Sequence, residues 1–242
     1  MEAGVRHYGR KVDWDHQGAP RWPSQIADRP AKQAIAAQLA ARVETGQTIG
    51  VGSGSTAFVA LAAIGERVRN EGLRLTCVTT SLEMEAYCTA FGLRVATLAN
   101  TRPDWCFDGA DEVDPDHNMI KGRGGAFVRE QLVFAAAPRR VILVDESKFV
   151  RRLGTNHRLP LAVIPEAASL VRSLLRDRIG VEPVVRAAGG KDGGVINESG
   201  DLLMDLPVDG SLPPDELERL LLTTPGISAT GLFVGYEFEI IN

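Results

Sequence analysis

Short apolar runs that alternate with helical segments constrain the fold of this chain more than any other feature of its sequence. The apolar runs are residues 48–51, 75–78, 95–98, 105–107 and 141–144. Helix-spaced apolar residues occupy 30–43, 58–68, 82–91 and 125–137. Because helices placed between parallel strands cover both faces of their sheet, this alternation predicts a Rossmann-like α/β domain with a mostly parallel sheet.

The pattern changes near residue 159 and continues as strand, helix, strand, strand, helix and strand. That order is typical of a ferredoxin-like α+β domain. The N-terminal residues mix tryptophans, prolines and charges without a clear period. We therefore predict an irregular extension at 1–28, a large α/β domain at 29–158 to which about 234–242 return, and a small ferredoxin-like domain at 159–233.

Composition and charge limit the partners of the chain. It has 242 residues, 44% of them hydrophobic, with 27 Lys and Arg against 31 Asp and Glu, and a net charge of -4. Because the charges are mixed, neither a nucleic acid nor a membrane surface is expected as a partner. No apolar stretch approaches the roughly 20 residues that span a bilayer, and the N-terminal residues are too polar for a signal peptide. We therefore expect a cytoplasmic protein. Three cysteines without a C-x-x-C pair indicate reduced thiols that fill space.

A glycine-rich turn follows the first apolar run, at Gly52, Ser53, Gly54, Ser55 and Thr56. Glycines let a backbone approach a ligand, and the start of the next helix supplies N–H groups, so this turn predicts an anion site. A dinucleotide fingerprint would need glycine where Ser55 stands, and a Walker A loop would need a lysine after its last glycine. The three hydroxyls instead suit a terminal phosphate monoester. A tight turn that binds nothing stays open as the alternative.

Asp108 and Asp111 follow the apolar run at 105–107. They therefore lie at the carboxyl end of a predicted strand, and in open α/β sheets that end faces the ligand crevice. Their spacing does not match the calcium loop of an EF-hand, although a solvated surface loop remains an alternative. The glycine between the two acids favours carboxylates that turn into a pocket.

Lys121 begins a flexible loop that contains Gly124 and Gly125 and leads into a predicted helix, with Glu130 in its early turns. Taken alone, Glu130 is explained by the helix dipole, which favours acids in a first turn. Lys148 follows the apolar run at 141–144, again at a carboxyl end. There it can either reach a phosphate or lie in solvent.

These residue types together match the needs of an aldose–ketose conversion. Such a reaction opens a sugar ring, moves a proton between C2 and C1, and stabilises an enediolate. Glu130 supplies a carboxylate base, and Lys121 supplies a cation for the oxyanion. Asp108 and Asp111 supply groups for ring opening. The glycine-rich turn and Lys148 hold the phosphate, so that binding energy contributes to catalysis.

Four ordered motifs resemble the type A ribose-5-phosphate isomerase family. They are G-x-G-S-T at 52–56, D-G-A-D-E at 108–112, K-G-x-G-G-A at 121–126 with R-E at 129–130, and D-E-S-K at 145–148. The resemblance covers most of residues 30–240, and the four motifs in this order are highly specific together.

The resemblance implies interconversion of ribose 5-phosphate and ribulose 5-phosphate in the non-oxidative pentose phosphate pathway, without metal or cofactor, by a homodimer or homotetramer. It implies that Glu130 is the base and that Asp108, Asp111 and Lys121 complete the active site. Lys32 matches a family lysine that helps to hold the phosphate. The candidate substrate- or phosphate-binding residues are Gly52, Ser53, Gly54, Ser55, Thr56, Lys32, Gly124, Gly125 and Lys148.

The chain departs from the family pattern at three places. The family usually has glycine where Arg123 stands and threonine where Ser53 stands, and it begins near residue 25 of this chain. Ser53 keeps the hydroxyl. We expect the Arg123 side chain to point to solvent, because arginines are mostly exposed, while an altered substrate preference stays open.

Two other classes of protein compete with this interpretation. Coenzyme A transferases and glucosamine-phosphate isomerases share a related α/β architecture, and a fold alone does not determine function. Their motifs are not those of this chain. A sugar-phosphate sensor would normally carry a helix-turn-helix, for which residues 1–28 are too short and irregular.

We expect isomerisation to survive exhaustive chelation, because the four histidines and three cysteines form no ligand cluster in the sequence. The rate of ribose 5-phosphate conversion after dialysis against EDTA, compared with an untreated sample, checks this. A rate that is lost in EDTA and restored by a divalent metal would contradict it.

Overall fold

The computed structural model describes residues 13–14, 20–22, 25–190 and 192–242. The helices are α1 (Arg29–Ala40), α2 (Ser55–Glu71), α3 (Leu82–Ala90), α4 (Phe127–Ala136), α5 (Ala168–Ile179) and α6 (Pro214–Leu222). The strands are β1 (Asp13–Trp14), β2 (Pro20–Arg21), β3 (Thr48–Val51), β4 (Thr76–Thr79), β5 (Arg94–Ala96), β6 (Trp105–Gly109), β7 (Glu112–Val113), β8 (Met119–Ile120), β9 (Arg140–Leu143), β10 (Leu159–Val163), β11 (Val184–Val185), β12 (Leu202–Leu206), β13 (Ile227–Thr230), β14 (Leu232–Phe233) and β15 (Glu239–Ile241). Across the described part of the chain, no helix combines the length and the apolar character needed to cross a bilayer.

Contacts between residues divide the chain into two compact units. The first unit holds the described residues up to 109 together with 133–144 and 239–242. The second unit holds 110–132 and 145–238. The domain boundaries expected from the sequence stay a prediction.

A six-stranded parallel sheet forms the centre of the first unit, in the order β5-β4-β3-β6-β9-β15. The chain starts at β3, moves outward to β5, and then returns to β6 on the other side of β3. This is the strand order of a doubly wound α/β fold, whose direction reverses between β3 and β6. The predicted Rossmann-like sheet is confirmed.

Aromatic side chains from α2 and α3 pack in the core of the first unit. The ring centres of Phe58 and Tyr87 are 4.7 Å apart, and Trp22 lies 5.4 Å from Phe58. The Tyr87 hydroxyl donates to the Arg21 carbonyl at 2.9 Å, so part of the predicted N-terminal extension packs on this unit. The rest of that predicted extension lies outside the described residues, at 1–12, 15–19 and 23–24.

Cys77 on β4 and Cys88 on α3 are buried in the same core. A hydrogen bond with the Cys77 thiol, together with burial, raises the pKa of the Cys88 thiol well above its ordinary value. Because the thiolate is the reactive form of cysteine, Cys88 fills space as a protonated thiol.

A four-stranded antiparallel sheet, in the order β11-β12-β10-β13, forms part of the second unit. The helices α5 and α6 provide the two helical connections of the β-α-β-β-α-β order, which confirms the predicted ferredoxin-like fold. Each helix buries a pair of apolar residues four positions apart, so one face of the helix contributes to the core. These pairs are Val171 and Leu175 on α5, and Leu217 and Leu221 on α6.

A three-stranded antiparallel sheet, in the order β14-β8-β7, also belongs to the second unit. The Asp111 N–H donates to the Ile120 carbonyl at 2.9 Å, and the Lys121 N–H donates to the Gly231 carbonyl at 2.9 Å. Two candidate site residues therefore have their backbones fixed by this sheet.

Candidate active site

The ends of β3 and β6, where the order of the parallel sheet reverses, bring Gly52 against Asp108. A Cβ at residue 52 would collide with the Asp108 carboxyl group, so glycine is required for this approach. The Ser53 and Gly109 N–H groups donate to Asp108 Oδ1 at 3.2 and 2.7 Å. The buried Asp108 carboxylate is thus oriented by two backbone amides, at the edge where doubly wound folds bind ligands.

Helix α2 begins directly after the glycine-rich turn, with no acidic residue in its first turn. Gly54 precedes the helix with a φ of 92°, which favours glycine. The buried Lys32 places its Nζ 3.3 Å from Ser55 Oγ. The helix dipole and the ammonium group both put positive charge beside Ser55, an arrangement that suits a phosphate.

The hydroxyl of Ser53 contacts the residues that follow β4. It lies 2.6 Å from Thr80 Oγ1 and 3.0 Å from Ser81 Oγ. Ser81 also caps α3 by accepting from the Met84 N–H at 3.2 Å. The Ser53 side chain therefore ties the turn to a third strand end, and its role toward phosphate stays a prediction. Sequence reasoning did not identify Thr80 or Ser81, which form a run of hydroxyls after a strand.

Lys121 and Glu130 form a buried ion pair in the second unit, with Lys121 Nζ 3.2 Å from Glu130 Oε2. The two residues are 3% and 6% exposed. Glu130 lies in the first turn of α4, and Lys121 Nζ is 5.5 Å from the centre of the Phe233 ring. Because a buried charge without a partner is costly, each residue stabilises the other. A carboxylate with an adjacent cation is suited to proton transfer beside a developing oxyanion.

Asp111 is half-buried and accepts a backbone hydrogen bond from the loop that follows Lys121. The Arg123 N–H donates to Asp111 Oδ2 at 2.9 Å. The Arg123 side chain is 73% exposed, with Nε 4.0 Å from Asp111 Oδ1. The predicted exposure of Arg123 is confirmed, and Asp111 is held by the backbone of residue 123.

Gly124 and Gly125 lie in the same loop and differ in their surroundings. Gly125 has a φ of 89°, and a Cβ there would lie 2.9 Å from Leu203 Cδ1. Apart from Gly124 and its two chain neighbours, no described residue has a heavy atom within 4 Å of where a Cβ of residue 124 would lie. Gly125 is therefore required by the fold of the loop, whereas Gly124 leaves open space beside it.

Lys148 ends a 3₁₀ helix, Glu146–Lys148, that follows β9. Asp145 caps this helix by accepting from the Ser147 N–H at 3.0 Å. Lys148 is half-buried, so its side chain is neither enclosed nor fully solvated. The structure thus places Lys148 on an ordered turn, and its contact with phosphate stays a prediction.

The predicted residues fall into two sets, one in each unit. The first set is Lys32, Gly52, Ser53, Gly54, Ser55, Thr56 and Asp108, and the second set is Asp111, Lys121, Gly124, Gly125, Glu130 and Lys148. Direct contacts join Asp108 to the turn and Lys32 to Ser55 in the first set, and Lys121 to Glu130 in the second.

Glu112 is a buried acid whose role was not found from the sequence. Its carboxylate accepts from the N–H groups of Gly154 at 2.6 Å, Asn156 at 2.5 Å and His157 at 2.7 Å. These hydrogen bonds hold a loop beside the strand that follows Asp111. The donors lie 42 to 45 residues further along the chain, so no local pattern could identify them.

The fold and these contacts define a class of protein. In the first unit, a doubly wound sheet places a helix end and a buried lysine at its reversal point, and the second unit contains a buried carboxylate–lysine pair. Residues of these types are the ones that a sugar-phosphate isomerase needs.

The sequence matches the profile of the family described as ribose 5-phosphate isomerase A (phosphoriboisomerase A) over residues 76–241. It is 41% identical over 206 residues to the ribose-5-phosphate isomerase A of Synechococcus sp., a match that covers 84% of this chain and 88% of that protein. The chain belongs to the ribose 5-phosphate isomerase A family.

The fold of this chain is similar to those of solved structures over most of its length. Ribose 5-phosphate isomerase A from Methanocaldococcus jannaschii matches with a TM-score of 0.83 and 33% identity, over 87% of this chain and 93% of that one. A D-ribose-5-phosphate isomerase in complex with phospho-erythronic acid matches with a TM-score of 0.82 and 30% identity, over 87% of this chain and 92% of that one.

Replacement of Glu112 by Gln should lower the free energy of unfolding by about 1–3 kcal/mol. Gln offers one oxygen acceptor, and its amide NH₂ would face backbone N–H donors. Urea-induced unfolding followed by circular dichroism checks this, with the exposed Glu166→Gln variant as control. Equal unfolding midpoints in the two variants would contradict the role of the three hydrogen bonds.

Proposed function

We propose that this chain interconverts ribose 5-phosphate and ribulose 5-phosphate through an enediolate, as a step of the non-oxidative pentose phosphate pathway. The observation that carries the proposal is the buried ion pair of Lys121 and Glu130, at 3.2 Å. Membership of the family supports this reaction. The similar isomerase in complex with phospho-erythronic acid supports a phosphorylated sugar as the substrate.

Glu130 is the proposed base. It removes the proton from C2 of the open-chain aldose, the electron pair of that C–H bond forms a C1=C2 double bond, and O1 takes the negative charge. The ammonium group of Lys121 stabilises this oxyanion. Glu130 then returns the proton to C1 while the hydroxyl proton of O2 moves to O1, which yields the ketose.

Asp108 and Asp111 are the proposed groups for ring opening and substrate orientation. The backbone N–H groups of Ser53 and Gly109 orient the Asp108 carboxylate. The Arg123 N–H orients the Asp111 carboxylate. An oriented carboxylate can accept the proton of the anomeric hydroxyl as the ring opens. Two acids in different surroundings can divide such tasks.

The glycine-rich turn is the proposed phosphate site. The N-terminal end of α2 and the Lys32 ammonium beside Ser55 provide the positive charge that supports it. Lys148 adds a further charge, and the backbone at Gly124 and Gly125 contacts the substrate. The phosphate-binding residues of the proposal are Lys32, Gly52, Ser53, Gly54, Ser55, Thr56 and Lys148.

The proposal also includes the cellular compartment, the oligomeric state and the kind of partner. The cysteines are buried thiols, which supports a reducing compartment such as the cytoplasm. The resemblance to the family supports a homodimer or homotetramer. The mixture of acidic and basic residues along the sequence, with a net charge of -4, supports a small-molecule substrate over a nucleic acid or a membrane.

Replacement of Glu130 by Gln should lower kcat by about 10²-fold or more and leave substrate affinity within a few-fold, because only the transition state uses the proton transfer. Exchange of solvent deuterium into C2 of the substrate should vanish with it. Steady-state kinetics and proton NMR in deuterium oxide check both outcomes.

The control for Glu130→Gln is Glu216→Gln, which changes an exposed glutamate in the first turn of α6. Circular dichroism and a melting curve show that each variant is folded before its rate is measured. A folded Glu130→Gln variant with a near wild-type rate would exclude Glu130 as the base and make Asp111 the next candidate.

Replacement of Lys148 by Ala should raise KM by about tenfold with a small change in kcat, because the phosphate is held similarly before and during reaction. Lys148→Arg keeps the charge and should recover most of the affinity. The exposed Arg102→Ala variant controls for the loss of a surface cation. An unchanged KM in Lys148→Ala would remove Lys148 from the phosphate site.

A further inference from the structure

Arg186 lies directly after β11, and its backbone is fixed by the neighbouring chain. Its N–H donates to the Leu203 carbonyl at 2.9 Å, and its carbonyl accepts from the Val195 N–H at 2.9 Å. The side chain is 17% exposed. Arg186 belongs to none of the motifs found in the sequence, and its backbone has a defined position because its N–H and its carbonyl are both hydrogen-bonded.

The guanidinium group forms a two-point ion pair with Asp205 on β12. Nε donates to Asp205 Oδ2 at 3.0 Å, and a terminal nitrogen donates to Oδ1 at 2.5 Å. Two parallel hydrogen bonds fix the plane of the guanidinium group as well as its position. The remaining terminal nitrogen is thereby aimed in one direction.

That nitrogen donates to two backbone carbonyls of the loop between Lys121 and Glu130. It lies 3.0 Å from the Gly122 oxygen and 3.0 Å from the Arg123 oxygen. A charged donor that binds adjacent carbonyls restrains the two peptide planes that contain them. One arginine therefore holds the loop that joins the proposed base to its cation.

The Gly122 carbonyl and the Arg123 N–H belong to the same peptide group. On one side this peptide accepts from Arg186, and on the other side it donates to Asp111 Oδ2 at 2.9 Å. Hydrogen bonds in series polarise one another, so a cation at the carbonyl strengthens the N–H as a donor. A continuous series of hydrogen bonds thus leads from Asp205 through Arg186 and one peptide to Asp111.

We propose that Arg186, aimed by Asp205, is a positioning residue that orients and stabilises the Asp111 carboxylate through the peptide between residues 122 and 123. The inference rests on the proposed function, in which Asp111 acts on the substrate. It also explains how arginine can stand at position 123. Only the backbone of that residue serves Asp111, while its own side chain is 73% exposed and 4.0 Å away, where an ion pair contributes little.

The test is a double-mutant cycle between Arg186→Gln and Asp111→Asn, with kcat and KM measured for all four proteins. We expect Arg186→Gln to lower kcat by about tenfold with a smaller effect on KM, because misplaced catalytic groups slow the reaction. In the Asp111→Asn background, Arg186→Gln should lower kcat by about twofold or less, because the carboxylate that Arg186 orients is gone. An equal fold-loss of kcat in both backgrounds, or no loss of kcat in either, overturns the proposal.

Two further variants separate positioning from a general loss of structure. Arg186→Lys should recover less than half of the lost kcat, because an ammonium group cannot make the two-point pair and bind both carbonyls. Full recovery by lysine would overturn the proposal. Arg172→Gln is the control for loss of an arginine–carboxylate pair, because Nε and a terminal nitrogen of Arg172, on the exposed face of α5, both donate to Glu182 Oε2, at 3.1 and 2.6 Å. Its kcat should equal that of the wild type.

Hydrogen exchange of the Arg123 amide gives a reading that does not depend on activity. In Arg186→Gln, or in Asp205→Asn if the first variant does not fold, this amide should exchange at least about tenfold faster, while the amides of α5 keep their rates. An unchanged rate at Arg123 overturns the proposal even if the protein is inactive. An active wild type with a fully active Asp111→Asn variant overturns it too, because Asp111 would then have no role to support.

Discussion

Lys121 and Glu130 form an ion pair at 3.2 Å that is almost fully buried. This pair constrains the backbone of the second unit around it. Burial of either charge without its partner would cost several kcal/mol, which is comparable to the free energy of unfolding of a whole domain. Both side chains must therefore be brought to one place and kept there. The Lys121 backbone is held by the Gly231 carbonyl, and the Glu130 backbone is held within α4.

A short loop connects Lys121 to α4, and its conformation must allow the Lys121 and Glu130 side chains to meet. Gly122 has a φ of 98°, and a Cβ there would lie 2.5 Å from Phe127 Cδ1, so a side chain is excluded both by conformation and by packing. Arg186 holds the loop carbonyls, and Asp111 accepts from the Arg123 N–H. The hydrogen bonds that hold the loop are thus made by its backbone, and the exposed Arg123 side chain contributes little to them.

Carboxylates that accept backbone N–H groups occur in both units, but they serve different roles. Asp108 accepts from two amides at the reversal point of the parallel sheet, and Glu112 accepts from three amides of a distant loop. The first carboxylate is a proposed catalytic group and the second fixes a loop, although both belong to one short acidic motif. Residue type and spacing alone do not separate such roles, because both roles use the same hydrogen bonds.

The sequence by itself determined the parallel sheet, the ferredoxin-like order and the glycine-rich turn, because each follows from the local periodicity of apolar residues or from the local spacing of glycines. It also placed Asp108 at a strand end, since the carboxyl end of a strand is readable from its apolar run. Only the tertiary structure decided that Arg186 binds the Gly122 carbonyl, 64 residues away, and that Glu112 binds a loop more than 40 residues distant. Such partners share no period and no motif. They meet because buried polar groups must find hydrogen bonds, and which groups are available depends on the complete fold.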